Sequence, residues 1–300
     1  MQALLDAIAT TALPADAQRL FHGRGGLFPG CEHLTLDAYP PALLLTSFEP
    51  LADEALAAIG AAITARWPEA PWVFQCRQEG GRTETRLMAG AVPEPHVVTE
   101  AGTHYLVHLL RGQNHGLFLD MAEGRRWVRE QVQPGDRVLN LFAYTCAFSV
   151  VALQAGAAEV VNVDMSDGAL AIGRRNHALN GVERGAKFLA HDIFNSWGKL
   201  TRGGPYDLVI CDPPSFQRGS FVATKDYARL ARRLPGLLAP GGQALLCLNT
   251  PKLDMAFLAD VMAEHAPELV FVERVAHPAA FADASQERAL KVAVYAATPS

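Results

Sequence analysis

The feature that most constrains the fold is a regular alternation of strand-like and helical segments in the second half of the chain. Five short apolar segments are predicted to be strands, at 137–142, 159–164, 186–190, 206–211 and 243–248. Helical patterns follow them at 148–155, 166–180, 222–238 and 255–265. Such alternation is typical of a parallel sheet with helices on both faces. Two more strands, at 270–276 and 289–297, are predicted to complete an α/β domain.

The chain is expected to divide near residue 115, because 300 residues exceed the usual size of one domain. The first half has a strand pattern at 42–48 and a helix at 51–67, and its shorter strands are predicted at 72–76, 83–88, 97–100 and 105–110. We therefore predict a small α+β domain at 1–115, with a possible role in substrate binding, and the α/β domain at 116–300. The glycines of Gly23–Gly26 also fit the G-x-x-G loop of KH domains, although an ordinary turn is favoured.

Composition narrows the class of protein. Half of the residues are hydrophobic and 19% are charged, which is usual for a globular protein. No apolar run approaches the ~18 residues of a membrane span. The first residues lack the basic start of a signal peptide, so a cytoplasmic location without membrane contact is expected. The five cysteines are widely spaced and form no C-x-x-C pair, so neither disulfides nor a bound metal is expected.

Charge gives no broad nucleic-acid signature. Residues 1–115 hold 7 basic and 12 acidic side chains, and the remainder holds 19 of each. A nucleic-acid-binding protein commonly shows a basic stripe. The basic runs here, which we interpret as solvated helix faces, are Arg125–Arg129, Arg174–Arg175 and Lys225–Arg233.

A proline-stiffened loop follows the predicted strand 206–211. It reads Asp212-Pro213-Pro214-Ser215-Phe216. Each proline fixes φ and removes an N–H, and Pro213 also pushes Asp212 out of the helical region. Ligands of open α/β sheets bind beyond the carboxyl ends of the strands. The loop therefore places a carboxylate at a candidate binding edge, although a plain turn is equally compatible.

The loop after the first strand of this domain, 140–145, carries a second signal. It contains Asn140, Ala143, Tyr144 and Thr145, and it leads into a helix whose N-terminus suits a nucleotide-like ligand. It lacks G-x-G-x-x-G, so a dinucleotide pyrophosphate has no glycine cradle. This argues against a nicotinamide or flavin oxidoreductase.

Acidic residues end the next two strands. Asp164, followed by Met165 and Ser166, is placed to accept both hydroxyls of a ribose, although it can instead cap the helix that begins at residue 166. Asp192, followed by Ile193, can accept an adenine amino group. Together with the Asp212 loop, these residues describe an adenosine site without phosphate contacts, which favours S-adenosylmethionine as the cofactor.

From about Gly116 to Ala297 the chain resembles the class I S-adenosylmethionine-dependent methyltransferases. Within them it is most similar to the bacterial group of large-subunit ribosomal RNA methyltransferases for cytosine C5 and guanine N7. The matching motifs occur in order along the chain, at 116–120, 138–145, 163–166, 179–181 and 212–216. Residues 42–110 are similar to the small α+β domain of that group. A PUA-type RNA-binding domain, which the cytosine enzymes carry, has no counterpart in this sequence.

The resemblance implies a Rossmann-like seven-stranded sheet whose last strand is antiparallel, preceded by the small α+β domain. It implies a set of residues at the S-adenosylmethionine site, namely Phe118, Asn140, Ala143, Tyr144, Thr145, Asp164, Met165, Ser166, Asp192 and Ile193. The residues expected to act in methyl transfer are Asp212, Pro213 and Asn249, and those expected to bind substrate are Asp120, Arg125, Pro214 and Phe216.

Two departures from the group's motifs affect these expectations. Cys146-Ala147 stands where relatives have Gly-Gly, so the loop is expected to be crowded and cofactor binding weakened. Ala122 replaces the arginine of a D-x-R pattern that begins at Asp120, while Arg125 matches the next basic position.

The absence of a placed thiol distinguishes two chemistries. Methylation at pyrimidine carbon 5 needs a cysteine that adds covalently to the base. Thr250 stands where that thiol is expected, and Cys211 and Cys247 lie within predicted strands as small core residues. Methylation at nitrogen needs only proximity and orientation. Asn249 is expected to orient the base and Phe216 to stack on it, although Asn249 can instead cap a turn and Phe216 can belong to the core.

The sequence therefore predicts an S-adenosylmethionine-dependent methyltransferase that acts on RNA, with ribosomal RNA as the substrate and a base nitrogen as the acceptor. A paired base cannot reach such a pocket, so the target base must be unpaired or flipped out. Two alternatives stay open. The chain can be a methyltransferase of a small molecule or protein, or a cofactor-binding protein that has lost activity. The oligomeric state is not indicated.

Overall fold

The computed structural model describes residues 1–78, 80, 82–214, 216–217 and 221–299, with the backbone alone at 216 and 217. The chain folds into two compact units. The first comprises Met1–Asp120 and Pro278–Gln286, and the second comprises Met121–His277 and Glu287–Ser300. The first unit is therefore built from two separate parts of the chain.

The first unit is built on a mixed five-stranded sheet. Its elements are α1 (Gln2–Thr10), β1 (Gln18–His22), β2 (Leu34–Tyr39), β3 (Ala42–Ser47), α2 (Asp53–Arg66), β4 (Trp72–Arg77), β5 (Thr83–Ala89), β6 (His96–Glu100) and β7 (Thr103–Val107). Strands β1 to β5 lie in chain order, and all neighbours are antiparallel except β3 and β4, which α2 connects. Strands β6 and β7 form a separate hairpin.

The glycine-rich segment of this unit is a tight turn between β1 and β2. Gly23–Gly25 form one 3₁₀ turn, and Gly26 follows with φ of 72°. A Cβ at Gly23 would lie 1.8 Å from the Cys31 carbonyl oxygen, and one at Gly25 would lie 2.2 Å from the Ala282 carbonyl oxygen. Both positions therefore require glycine. The flanking elements are strands, so this segment is an ordinary turn and not a KH loop.

The second unit contains the predicted strand and helix alternation. Its elements are α3 (Ala122–Gln131), β8 (Arg137–Leu141), α4 (Ala147–Gln154), β9 (Glu159–Asp164), α5 (Asp167–Leu179), β10 (Ala186–Ala190), α6 (Trp197–Gly203), β11 (Tyr206–Cys211), β12 (Phe216–Gln217), β13 (Phe221–Val222), α7 (Ala223–Ala231), β14 (Leu238–Leu248), α8 (Met255–His265), β15 (Leu269–Val275) and β16 (Lys291–Ala297).

Seven strands of the described chain form the main sheet, in the order β10-β9-β8-β11-β14-β16-β15. Neighbours from β10 to β14 are parallel, and β16 is antiparallel to both of its neighbours. The predicted fold, including the antiparallel last strand, is confirmed. The chain runs outward from β8 through β9 to β10 and then returns to β11 on the other side of β8. This reversal creates a crevice at the carboxyl ends of β8 and β11, where open α/β sheets bind ligands.

Both faces of the sheet are buried against helices. On one face, alternate strand residues such as Val138 and Val160 pack with Trp127 of α3 and Phe148 of α4. On the other face, Val209 and its equivalents pack with side chains of α6, α7 and α8. This double cover explains why the strands read as nearly continuous apolar runs in the sequence.

The predicted helix at 222–238 is wrong in its second half. Helix α7 ends at Ala231, a 3₁₀ turn occupies Leu234–Gly236, and β14 already begins at Leu238. Pro235 lies in that turn, and a proline removes the N–H that a continuing helix needs. Leu238 instead pairs with Tyr206 of β11.

Candidate cofactor and substrate site

The loops predicted to carry the chemistry of the second unit follow β8, β9, β10, β11 and β14. These five strands are mutually parallel, so their carboxyl ends lie along one edge of the sheet. The loops after β8 and β11 flank the point where the strand order reverses. The fold therefore gathers the predicted loops at one edge.

The loop after β8 has a strained backbone. Phe142, Tyr144 and Cys146 have φ of 58°, 46° and 61°, a region that costs non-glycine residues about 1–3 kcal/mol each. The loop is fixed to the end of β9, because the N–H of Ala143 donates to the Val163 carbonyl at 3.1 Å. Strain of this kind clusters at ligand sites and indicates a backbone held in one shape.

Asp164 ties this loop to the end of β9. Its Oδ2 accepts the Tyr144 N–H at 2.8 Å, and its Oδ1 accepts the Ser166 N–H at 2.8 Å. The cap of α5 is Ser166 itself, whose Oγ accepts the Ala169 N–H at 3.2 Å. Asp164 is therefore not the helix cap, and Met165 beside it is exposed. Each carboxylate oxygen keeps further acceptor capacity, which suits the two hydroxyls of a ribose.

Cys146 occupies space that a glycine in α5 leaves open. Its side chain is fully buried in a cluster with Ala143 and Leu170, and burial together with the charge of Asp164 raises the pKa of the thiol. A Cβ built on Gly173 would lie 2.5 Å from Cys146 Sγ. The thiol therefore points into the core beneath the loop. This is where the cysteine side chain, which the Gly-Gly of relatives lacks, is accommodated.

A buried polar network supports the loop from below. Asn140 Nδ2 donates to Asn162 Oδ1 at 2.9 Å, and Asn162 Nδ2 donates to Ser149 Oγ at 2.9 Å. Ser149 Oγ lies 2.8 Å from His177 Nε2, and His177 Nδ1 lies 2.7 Å from the Gly173 carbonyl. A proton on Nδ1 satisfies both contacts. Asn140 thus lies beneath the loop with 1% of its surface exposed.

The loop after β10 is held by its own acid. Asp192 Oδ1 accepts the Phe194 N–H at 2.8 Å, and Oδ2 accepts from Asn195 Nδ2 at 2.6 Å. These bonds cap the 3₁₀ turn Ile193–Asn195 and fix the direction of the half-buried carboxylate. Ile193 is buried in the main core. To accept a hydrogen bond from an adenine amino group, Asp192 must therefore use the remaining lone pairs of its carboxylate oxygens.

The proline-stiffened loop begins at the end of β11. Asp212 and Pro214 are half-buried, and Pro213 is buried. The Asp212 N–H lies 3.5 Å from the Leu141 carbonyl at the end of β8, so this loop starts beside the loop that follows β8. The predicted stacking side chain of Phe216 lies outside the described residues.

The end of β14 is held by two buried donors. The Tyr227 hydroxyl donates to the Cys247 carbonyl. Lys291 Nζ, with no exposed surface, donates to the carbonyls of Thr250 and Glu287, each at 2.7 Å. Asn249 is exposed and lies in the chain between Cys247 and Thr250, whose carbonyls accept these hydrogen bonds. The sequence patterns above predict neither donor, although a lone lysine at the start of the apolar strand β16 is a signal that a buried cation is present.

The two strand cysteines are unsuited to covalent catalysis. Cys211 and Cys247 have no exposed surface. Burial, with a smaller contribution from Asp212, raises the pKa of Cys211 to about 12. A nucleophilic cysteine needs an accessible thiolate, so both are structural residues.

The remaining predicted residues fall in different units. Phe118 and Asp120 end the first stretch of the first unit, and Phe118 is 41% exposed. Arg125 lies on α3 of the second unit and is 3% exposed. Its burial leaves little of its guanidinium accessible to a substrate.

In the described part of the chain, no helix combines the length and apolar character needed to cross a bilayer. Within those same residues, no group of three or more His, Cys, Asp or Glu side chains is arranged to hold a metal ion.

Comparisons with known proteins identify the relatives of this chain. A family model for S-adenosylmethionine-dependent methyltransferases matches residues 18–296. The ribosomal RNA large subunit methyltransferase I of Aeromonas salmonicida is 32% identical over 251 residues, which cover 79% of this chain and 62% of that protein. The ribosomal RNA large subunit methyltransferase K/L of a Psychrobacter species is 35% identical over 189 residues, which cover 60% of this chain and 23% of that protein. The chain thus spans less than two thirds of either relative.

A solved structure shares the fold. The crystal structure of SMU.776, described as a methyltransferase complexed with SAH, matches with a TM-score of 0.85 at 24% sequence identity. The match covers 98% of this chain and 81% of that one. Both units of the chain therefore have counterparts in a known architecture.

Proposed function

We propose that this chain, which belongs to the S-adenosylmethionine-dependent methyltransferase family, transfers the methyl group of its cofactor to a base nitrogen of RNA, with ribosomal RNA as the substrate class. The observation that carries the proposal is the joint placement of three features at one edge of the sheet. They are the strained loop after β8, the Asp164 carboxylate bonded to it, and the loop that begins at Asp212.

The residues at this edge fit S-adenosylmethionine. Asp164 would accept the ribose hydroxyls, the loop 140–145 would hold the methionine part of the cofactor, and Asp192 would contact the adenine. When bound, the cofactor supplies a methyl group on a positively charged sulfur. Its phosphate-free adenosine agrees with the absence of a G-x-G-x-x-G cradle in the loop after β8.

Transfer follows an in-line displacement in which the protein supplies orientation. With the cofactor bound, the lone pair of the base nitrogen would form the new N–C bond as the S–C bond breaks, and the electron pair of the S–C bond would stay on sulfur. Asp212 accepts a hydrogen bond from the base, or the proton of a nitrogen that carries one. Asn249 orients the base from the opposite loop. The buried Cys211 and Cys247 support nitrogen over carbon 5 as the acceptor, because neither thiol is accessible.

The RNA substrate is supported by the relatives, both named as ribosomal RNA large subunit methyltransferases. The acceptor base must be unpaired or flipped out to reach a site at a sheet edge. Pro214 and Phe216 are proposed to contact it. Arg125 is not included, because its side chain is buried.

The test is methyl transfer to RNA by the purified protein. Ribosomal RNA from a strain that lacks this gene is incubated with methyl-labelled S-adenosylmethionine, and the digested nucleosides are identified by mass spectrometry. A labelled nucleoside methylated at nitrogen is expected, and Asp212→Ala is the matched inactive protein. Label on carbon 5 of a pyrimidine would overturn the nitrogen assignment. No label on the RNA, under conditions in which the protein binds S-adenosylmethionine, would overturn the substrate class.

A further inference from the structure

The glycine-rich turn of the first unit presents one arginine to solvent. Gly23 and Gly25 have no room for a Cβ, because carbonyl oxygens lie 1.8 and 2.2 Å from where one would be. The turn therefore packs closely against the backbone of its own unit. Arg24 lies between the two glycines and is exposed. Its guanidinium carbon lies 3.8 Å from the centroid of the Phe48 ring.

A second arginine shares the same ring. Arg77, at the end of β4, has its guanidinium carbon 5.7 Å from the Phe48 centroid. Its guanidinium also donates to the Gln113 carbonyl at 2.7 Å and lies 3.1 Å from His115 Nε2. These groups are neutral, so they orient the Arg77 guanidinium without neutralising its positive charge. Two guanidinium groups are thus held around one aromatic ring, which we call the Arg24–Phe48–Arg77 stack.

The nearby Arg19 shows a different arrangement. Its guanidinium donates to both carboxylate oxygens of Asp37, at 2.8 and 3.0 Å, so its charge is balanced within the fold. Among the described residues, Arg77 makes no such bidentate bond to a carboxylate. Burial is the main cause that lowers the pKa of Arg77; Tyr39 and Asp37 oppose this effect, and the positive charges of Arg19 and Arg24 add to it by repulsion. An anion bound at the stack would offset this repulsion.

The chemistry of the stack matches an RNA backbone. The seven Lys or Arg positions before residue 115 are all arginine. A guanidinium group can donate two parallel hydrogen bonds to the oxygens of one phosphate. Leu27 and Phe28, which follow the glycine turn, are 48% and 37% exposed and offer apolar surface for unstacked bases. Acidic side chains outnumber basic ones by 12 to 7 in residues 1–115, so the positive charge is local.

We propose that the Arg24–Phe48–Arg77 stack binds the phosphate backbone of single-stranded RNA, and this inference rests on the RNA substrate proposed above. Each guanidinium that neutralises a phosphate releases a counterion, so the logarithm of the affinity falls with the logarithm of the salt concentration by about 0.7 per contact on a single strand. The number of contacts can therefore be read from the salt dependence.

The test uses a fluorescent single-stranded oligouridylate of about 12 nucleotides, within the range of single-strand site sizes, as the probe. Its affinity for the full-length protein is measured by anisotropy between about 50 and about 200 mM salt. Arg24→Ala and Arg77→Ala are each expected to weaken binding and to reduce the slope by about 0.7. Arg24→Lys keeps the charge and is expected to restore most of the slope.

Arg86→Ala is the matched control. Arg86 also lies over a phenylalanine, with its guanidinium carbon 5.0 Å from the Phe74 centroid, but it is paired with Glu84 at 3.3 Å. Its removal is expected to leave the slope unchanged. If Arg77→Ala does not fold, the Arg24 variants provide the test, because Arg24 is exposed.

The outcomes separate this inference from the proposed function. If the Arg24 and Arg77 variants bind oligouridylate with the wild-type slope, or if the wild-type protein does not bind it, the stack is not an RNA contact. Methyl transfer to ribosomal RNA is measured independently. If the salt dependence of binding requires both arginines but no RNA is methylated, the stack is an RNA contact and the proposed reaction is wrong.

Discussion

At the scale of single residues, Cys146 and Gly173 form a complementary pair. Cys146 has φ of 61°, where glycine is the unstrained choice, and its thiol fills the space that the missing Cβ of Gly173 provides. The sequence alone predicts that a cysteine here crowds the cofactor loop. The structure shows that the additional volume is directed into α5, so a partner residue elsewhere in the chain decides whether the substitution is tolerated.

This pairing predicts a strongly non-additive double-mutant cycle. Gly173→Ala alone is expected to lower the free energy of unfolding by about 1–2 kcal/mol, because overpacking exceeds the gain in helix propensity. In a Cys146→Gly background the same change is expected to stabilise the protein by up to about 1 kcal/mol. Urea denaturation of the four proteins gives the coupling, expected near 2 kcal/mol. Additive effects would show that the two residues do not share this space.

Asp164 is predicted to contribute to both loop order and cofactor affinity. Asp164→Ala removes the acceptor for the Tyr144 and Ser166 N–H groups as well as the proposed ribose contact. The Kd for S-adenosylmethionine is expected to rise at least tenfold, or about 1.4 kcal/mol, in calorimetric titration. The control is Asp167→Ala, which removes an exposed acid 3.7 Å from Arg174 in the first turn of α5. Equal affinities for both variants would remove the ribose assignment.

At the scale of elements, the strands of the second unit were predictable for a physical reason. A parallel strand buried on both faces is a nearly continuous apolar run, so the bounds of β9 and β11 agree with the patterns in the sequence. The shape of the loop after β8 was not predictable. Phe142, Tyr144 and Cys146 are residue types that rarely adopt positive φ, and the strain depends on bonds to β9.

The network beneath that loop was partly visible in the sequence. Asn140 and Asn162 interrupt apolar strands, and they are paired in register between β8 and β9. Two polar residues at matching positions of buried strands indicate a hydrogen bond, because unpaired they are costly. Their partners, Ser149 and His177, depend on how α4 and α5 pack and could not be read from spacing.

The buried donors at the end of β14 predict an effect on methyl transfer without loss of cofactor binding. Tyr227→Phe removes the hydroxyl that anchors the Cys247 carbonyl, and Lys291→Met removes the ammonium that anchors the Thr250 carbonyl. Each is expected to cost about 1–3 kcal/mol of stability, since a buried carbonyl loses its donor. Because Asn249 lies between these carbonyls, kcat for RNA is expected to fall while the Kd for S-adenosylmethionine stays unchanged. A wild-type kcat in both folded variants would show that the anchors do not position Asn249.

At the scale of the whole molecule, the two units are not separated by a single boundary in the sequence. Pro278–Gln286 belongs to the first unit, although it follows most of the second. Within the first unit, Phe281 stacks with Arg19 at 4.3 Å, and the Ala284 N–H donates to the Gly25 carbonyl at 2.7 Å. The change in pattern predicts a boundary near residue 115, whereas the first unit extends to Asp120. A returning segment of nine residues carries no pattern that assigns it to a distant sheet.

Buried neutral histidines in both units predict a protein that loses stability at mildly acidic pH. Burial is the main cause that lowers the pKa of His22 to about 4, and burial also lowers the pKa of His115 and His177. The unfolded chain binds protons near pH 6.5 that the folded chain does not, so the free energy of unfolding falls as the pH drops below about 6.5. Glu159 and Glu287, whose pKa values are lowered, add to this loss only at more acidic pH.

His177→Gln tests the contribution of the second unit. The free energy of unfolding is measured in urea at about pH 7.5 and about pH 5, an interval over which one neutral histidine accounts for at most about 2 kcal/mol. The variant is expected to be less stable than wild type at the higher pH, because the bond to Ser149 is altered, but to lose less on acidification. His104→Gln, which changes an exposed histidine on β7, should leave the wild-type loss unchanged. Equal losses in the His177 variant and in wild type would place the acid sensitivity elsewhere, with His22 and His115 of the first unit as the next residues to replace.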